Sequence, residues 1–579
     1  MNEQKNLFLA IILVIGILFG FHYLYERPKA LERQQNQELL AQEKGPDQES
    51  SPSSPLSLKQ QNPLDRDAAL AKGKRVPIKT GKLEGSVNLL GGMIDDLKLV
   101  RYKQTTDAHS PSVILLSPAE AKEGYLESTA WEHQNKDDNT RFPMPGNDDL
   151  WEAHSSELTE EKPLQLSYSN GRGQIFKRTI SIDDNYMFKI EDKIVNKSSE
   201  KLNLKHTSII ERHDIPVSAQ SGFILHEGPI GVINTKLYEI DYSDMTLQPK
   251  PHEAYFTHVK RSWLGFTDKY WLTALIPNPE KESTLSFIGD DSKKLFKVLS
   301  ESAPHVVEPD KEVSNVVYFF AGAKVLELLD AYEAKIGFDK FDLAVDFGWF
   351  YFLTKPMLSF LQFLHTIIGN FGLAIIVLTV IVKTLFFPLA NKSYRSMSRM
   401  RAFAPQIEAL KARYGDDRVK LNQAMMELYQ KHKINPVSGC LPMIIQAPVF
   451  FCLYKVLYVS LDMRHAPFYG WIHDLSTPDP TSLFNLFGLL PFVLPHFLQI
   501  GAWPIIMGLT MWLQQKLNPQ PADKAQAMMF LLMPLFMTFI FAGFPAGLVI
   551  YWAWSNILGI IQQSIIIRIE SRRASVKKT

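Results

Sequence analysis

A single lysine, Lys383, stands inside the apolar run IVLTVIVKTLFFP at residues 376–388. An ammonium group at the centre of a bilayer costs roughly 2.5–3.5 kcal/mol on insertion scales, so its presence asks for a reason. Thr379 lies one helical turn before it on the same face. Further polar residues interrupt later apolar runs: Gln446, then Ser555, Asn556, Gln562 and Gln563. Lipid offers such groups nothing, so they face one another, a ligand or water. Two readings of Lys383 stay open: it snorkels to an interface just past Pro388, or it faces a wet cavity between helices. The apolar runs contain no acidic residue. Lys383 therefore lacks an internal counter-ion, and the intramembrane carboxylates of a proton relay or ion pump are missing. A cation without an internal partner suits one that arrives from outside.

Other chemistry is scarce. No phosphate-binding GxxxxGK[ST] loop occurs, and HEAYFTH at 252–258 spaces its histidines six apart rather than the four that a helical zinc site needs. Cys440 and Cys452, in one helical run, are about 18 Å apart and cannot pair. Asn196 opens an NKS sequon, which matters only in a cell that glycosylates it. The residues point to no enzyme, no metal and no cofactor. With 62 Lys+Arg against 61 Asp+Glu, the net charge of +1 gives no general reason to bind nucleic acid.

The 579 residues fall into unlike parts. Residues 1–26 contain an apolar run at 7–25, long enough to span and followed by bulky residues rather than a cleavage site, so an uncleaved anchor is expected. Residues 27–63, rich in Gln, Ser, Pro and Glu, cannot bury enough surface to fold and form a linker. From 64 to 341 the hydrophobic period is two. FKRTISI at 176–182 puts Phe176, Ile180 and Ile182 on one face, and 186–194 and 202–210 repeat the rhythm, as in a large antiparallel β-sandwich. There is no internal repeat. The aromatic stretch 342–358 suits an interfacial helix. Five spans are expected near 367–390, 439–460, 503–517, 527–541 and 547–567, with Pro491, Pro495 and Pro504 blurring the fourth.

Charge sets the orientation. Residues 391–433 carry ten Lys/Arg against four acids, and the tail 568–579 five against one, so both are cytoplasmic. The β domain is then outside and the N-terminus inside. Within the basic loop, Met397, Met400, Phe403, Ile407, Leu410 and Tyr414 recur at helical steps. After Gly415 and the capping Asp416–Asp417 pair, a second helix carries Leu421, Met425 and Leu428. The hairpin 392–433 therefore keeps an apolar, methionine-bearing face suited to varied partners; a solvated connector would account for its charge alone.

Five ordered motifs carry a resemblance: GNFGLAIIVLTVIVKTLFFPL, MRAFAPQIEALKARYGDD, INPVSGCLPMIIQAPVFFCLY, MRHAPFYGWIHDLSTPDP and FPAGLVIYWAWSNILGIIQQ. Together they resemble the YidC-type membrane protein insertases of Gram-negative bacteria. The resemblance implies a polytopic α-helical membrane protein of six transmembrane helices, with a large all-β periplasmic domain, a mutarotase-like β-supersandwich. It implies a core over 359–567 with a groove open to cytoplasm and lipid, receiving nascent membrane proteins in the inner membrane, with the Sec translocon and the ribosome as partners. The expected groove residues are Lys383, Thr379, Gln446, Trp552 and Asn556. The hairpin contact surface is Met397, Met400, Ile407, Leu410 and Met425, and the ribosome contact is Arg572, Arg573, Lys577 and Lys578. The family's groove cation is most often arginine; lysine keeps the charge but loses the planar fork. A transporter or channel, or a tethered sugar-processing enzyme, are the alternatives.

Overall fold

The computed structural model describes residues 64–576 apart from 108, 136–141, 217–224, 248–253, 349–350, 415–416, 433–440, 489, 491–498 and 519–523. The expected anchor, the linker, Cys440, Lys577 and Lys578 lie outside the described residues. The chain divides into two compact units, one made by Ser53–Lys355 with Tyr458–His465 and the other by Pro356–Leu457 with Ala466–Thr579.

The first unit is two antiparallel sheets. One has ten strands and runs through Arg75–Lys79, Leu83–Asn88, Met93–Lys103, Tyr125–His133, Leu202–His213, Leu295–Ser302, Ser283–Asp290 and Tyr255–Val259, with two short strands off this path. The other has nine and centres on Trp271–Pro277, Glu312–Ala323, Met187–Asn196 and Gln174–Ile182. Period-two patterning builds the core between them: Phe176, Ile180, Ile182, Phe188, Ile190, Ile194, Leu202 and Leu204 are all buried. The same alternation turns Arg178, Asp192 and His206 inward, and these three meet. Arg178 Nε and Nη2 donate to the Asp192 carboxylate at 2.7 and 2.8 Å, and Arg178 Nη1 donates to the Gly92 carbonyl at 2.8 Å. Across the sheets, Thr129 Oγ1 (2.8 Å) and His206 Nε2 (2.9 Å) reach the same carboxylate. Asn315 donates to the other nitrogen of His206 at 3.0 Å. Burial alone would raise the Asp192 pKa, but the guanidinium and the imidazole hold it well below the usual range. Glu127, buried nearby with one carboxylate oxygen unpartnered, is pushed up to about 8 by desolvation.

The second unit is helical: α1 (Tyr351–Ile368), α2 (Phe371–Leu385), α3 (Phe387–Ala402), α4 (Ala404–Tyr414), α5 (Arg418–Lys431), α6 (Leu441–Val459), α7 (Ala502–Leu517), α8 (Lys524–Phe541) and α9 (Ala546–Val576). The long α9 packs against α2, α3 and α7, and α7 packs on α8. The α7–α8 approach depends on Gly508, where an added Cβ would meet Thr538 Oγ1 at 2.0 Å.

Several expected boundaries move, each for a local reason. The stretch 342–358 is not one helix: a 3₁₀ turn, Phe341–Ala344, is followed by Gly348 at φ 67° before α1 begins. The first expected span of this region ends early, because the helix breaks at Phe386 (φ −87°, ψ 3°) and Pro388 opens α3. The first hairpin helix is likewise split. Phe403 (φ −92°, ψ 3°) ends α3, and Pro405 has no N–H to continue its ladder. Asp417 caps α5 as expected, accepting from the Lys420 amide at 3.1 Å. The helix of the basic tail is continuous with α9 to Val576.

Among the described residues no single helix is long and apolar enough to cross a membrane by itself; α1 and α2 qualify only as a pair bent by 117°. At 15 residues α2 is about 22 Å long, short of the roughly 30 Å of hydrocarbon. Pro448 and Pro534 lie inside α6 and α8. The helical unit nonetheless exposes apolar side chains at a density rare on a water-facing surface: Leu385 at 72 %, Ile367 at 67 %, Leu531 at 63 % and Phe536 at 62 %.

Candidate functional site: a cavity at Lys383

The site begins with a helix start. Asn370 caps α2 by accepting from the Leu373 amide at 3.0 Å, and the break at Phe386 turns the chain into α3. Between α2, α3 and α9 lies a cavity of about 330 Å³. Lys383 and Thr384 supply its polar wall on α2, flanked by Val380 and Phe387. On α9 the wall is Gln562 among isoleucines, including Ile561, Ile565 and Ile569. At one end Arg395 of α3 and Glu570 of α9 lie 3.8 Å apart. Thr384 spends its hydroxyl on the Val380 carbonyl at 2.8 Å. Lys383 makes no ion pair among the described residues, and the one carboxylate of the wall is beside Arg395.

The other residues expected in the groove do not line this cavity. Thr379 is buried and donates to the Ile375 carbonyl of its own helix at 2.7 Å. Gln446 of α6 donates to the Tyr551 hydroxyl of α9. Trp552 packs edge-on against Phe450 and Phe541, with ring centroids 4.7 and 4.9 Å apart, tying α6, α8 and α9 together. Asn556 donates to Thr510 of α7 at 3.2 Å. Gln563, seven residues on, donates to the Leu517 carbonyl at 3.1 Å. The polar residues of α9 thus divide by helical phase. Asn556 and Gln563 face α7, whereas Gln562 faces the cavity with Lys383. The spacing of 558, 562, 565 and 569 carries that stripe, and it is readable once the partner of each face is known.

The hairpin is also redistributed. Met397 is buried with Tyr394 against Ile566 of α9, so it fastens α3 rather than offering a surface. Met400, Ile407, Leu410 and Met425 are half-buried, and α4 packs on α5. Among the described residues the large apolar side chains exposed there are Val419 and Met426. Arg572 and Arg573 continue α9, and of the Arg573 side chain nothing is described.

Comparison with known proteins decides the identity. The family described as YidC periplasmic domain matches residues 75–360, and that described as 60Kd inner membrane protein matches 363–573. A membrane protein insertase YidC of Methylobacterium nodulans is 44 % identical, covering 98 % of this chain and 95 % of that protein. One of Rickettsia bellii is also 44 % identical, over 98 % of this chain and all of the other. This chain belongs to the YidC family. A solved structure of an active YidC insertase covers 85 % of this chain and 92 % of its own at 17 % identity and a TM-score of 0.35. The protein is accordingly a membrane protein insertase rather than an enzyme, an inner-membrane protein with a β-sandwich periplasmic domain and a helical C-terminal region. As in the YidC family at large, its substrates are nascent membrane proteins and its medium is the lipid bilayer.

Proposed function

We propose that the Lys383 cavity is the groove through which this insertase works. The observation that carries the reading is an ammonium group, unpaired among the described residues, on the wall of a cavity whose surrounding helices expose apolar side chains, Val380, Ile381 and Leu385 on α2 and Ile561 and Ile565 on α9. A substrate's polar outer segment enters from the cytoplasm and is met by positive charge in a reduced dielectric, where a pair 4 Å apart gains about 4 kcal/mol at an effective dielectric constant of 20. The apolar segment then leaves sideways into lipid between α6 and α8, as the resemblance to the insertase family implies. No covalent step is involved. Residues 1–26, the α1–α2 region, α6, α7, α8 and α9 supply six crossings, with both termini cytoplasmic. The break at Phe386 is tolerated because it adjoins the cavity that Thr384 and Phe387 line. The periplasmic sandwich takes a mutarotase-like form without its chemistry, and the linker 27–63 tethers it to the anchor. The ribosome meets the basic tail, Arg572, Arg573, Lys577 and Lys578, and the protein works alone or with the Sec translocon.

The test is site-specific photo-crosslinking from position 383 to a ribosome-stalled nascent membrane protein. Adducts with the substrate's outer segment are expected. A reactive group at 383 that labels only lipid places the lysine outside the path and ends this reading.

A further inference from the structure

The cavity holds a second polar group that the charge of Lys383 leaves without a role. Gln562 lines the same wall from α9, and its Nε2 is buried with no hydrogen-bond partner among the described residues. Its neighbour Gln563 has the opposite fate, spending Nε2 on the Leu517 carbonyl at 3.1 Å and the Asn518 side chain at 3.0 Å. One glutamine therefore locks α9 to the end of α7, and the other lines the cavity with its amide nitrogen buried and unpartnered among the described residues. A buried amide donor left unpaired costs on the order of 1–3 kcal/mol, and none of the cavity's other polar side chains, Thr384, Asn391 and Glu570 among them, accepts from it.

We infer that Gln562 is a specificity-determining residue: its amide donates to the acceptors of uncharged polar segments in transit, complementing Lys383, which favours carboxylates. The inference rests on the groove reading above. An extended segment crossing a low-dielectric path carries backbone carbonyls with no intrachain partner. An ammonium group is a strongly hydrated donor that rewards negative charge. A carboxamide is a neutral donor that serves a peptide carbonyl, or an Asn or Gln side chain, without requiring charge. Two donors of different kind in one cavity let it accept both classes of outer segment.

The test compares two substrates with the same apolar segment, one with Asp and Glu in its outer segment and one with Asn and Gln at those positions, inserted by the full-length protein in proteoliposomes. Gln562→Leu is expected to slow the uncharged substrate roughly five- to tenfold, the loss of one neutral hydrogen bond, and the acidic one less than about twofold. Lys383→Gln should reverse that order, and Gln562→Asn, which keeps the donor, should restore part of the uncharged substrate's rate. Photo-crosslinkers at 383 and 562 separate the two readings. If position 383 labels the nascent chain while Gln562→Leu slows neither substrate, or slows both equally, the role of Gln562 is refuted and the groove stands. If neither position labels it, the groove reading itself has failed.

Discussion

Arg178→Met removes the central donor of the polar pin through the sandwich. The side chains of Arg178 and Asp192 are only 2 % and 3 % exposed, so no water replaces the lost guanidinium. Asp192 would keep Thr129 and His206 but lose its full-charge partner, and the carbonyls of Gly91, Gly92 and Thr129 would lose their donor. Breaking a buried pair from one side costs about 3–5 kcal/mol, a large fraction of the 5–15 kcal/mol that holds a typical domain. At about 2–4 °C per kcal/mol for a domain of a couple of hundred residues, the unfolding midpoint should fall by roughly 6–20 °C. Tryptophan fluorescence on heating is a suitable assay, because Trp151 lies under Arg178 at 4.9 Å and Trp131 lies 5.1 Å from His206. Arg178→Met with Asp192→Leu should be less damaging than the single change, since no uncompensated charge stays buried. A single variant that melts within about 2 °C of the parent, or a double variant worse than the single, would refute the reasoning.

Three further outcomes are expected. Glu127 is neutral in the folded domain up to about 8 but ionises above its ordinary value of 4.5 once unfolded. The folded state then holds an extra proton across that window, so its contribution to stability falls as pH rises from 5 to 8; Glu127→Gln should remove this slope, and equal slopes in the two proteins would show the carboxyl to be already ionised. Lys383→Arg should support growth of a strain depleted of its own insertase, whereas Lys383→Glu, at equal abundance, should fail for substrates with acidic outer segments; full complementation by the glutamate variant would count against attraction. Neutralising Arg572, Arg573, Lys577 and Lys578 should weaken ribosome co-sedimentation at low salt, because counterion release drives contacts with RNA; unchanged sedimentation would assign the tail to orientation alone.

Much of the architecture was legible because periodicity is a local property. Alternation over 176–182, 186–194 and 202–210 assigns each side chain to a face, and the buried Phe176, Phe188 and Leu204 lie where it puts them. It also turns Arg178, Asp192 and His206 inward, the polar exceptions on apolar faces. What alternation cannot supply is that the three converge, since Asp192 is paired by side chains from two different sheets. The helical unit repeats the lesson. An acid-free set of apolar runs already isolates Lys383 as a cation awaiting a partner, and Asp417 is recognisable as a cap from its own neighbours. Yet Asn556, Gln562 and Gln563 look alike in sequence, and only the packing of α9 sends two of them to α7 and one to the cavity. Met397 likewise reads as surface until Ile566 covers it. Sequence determines which face of a helix or strand a residue occupies, through the geometry of the backbone repeat. Tertiary structure decides what that face meets, because the meeting partner comes from a distant part of the chain.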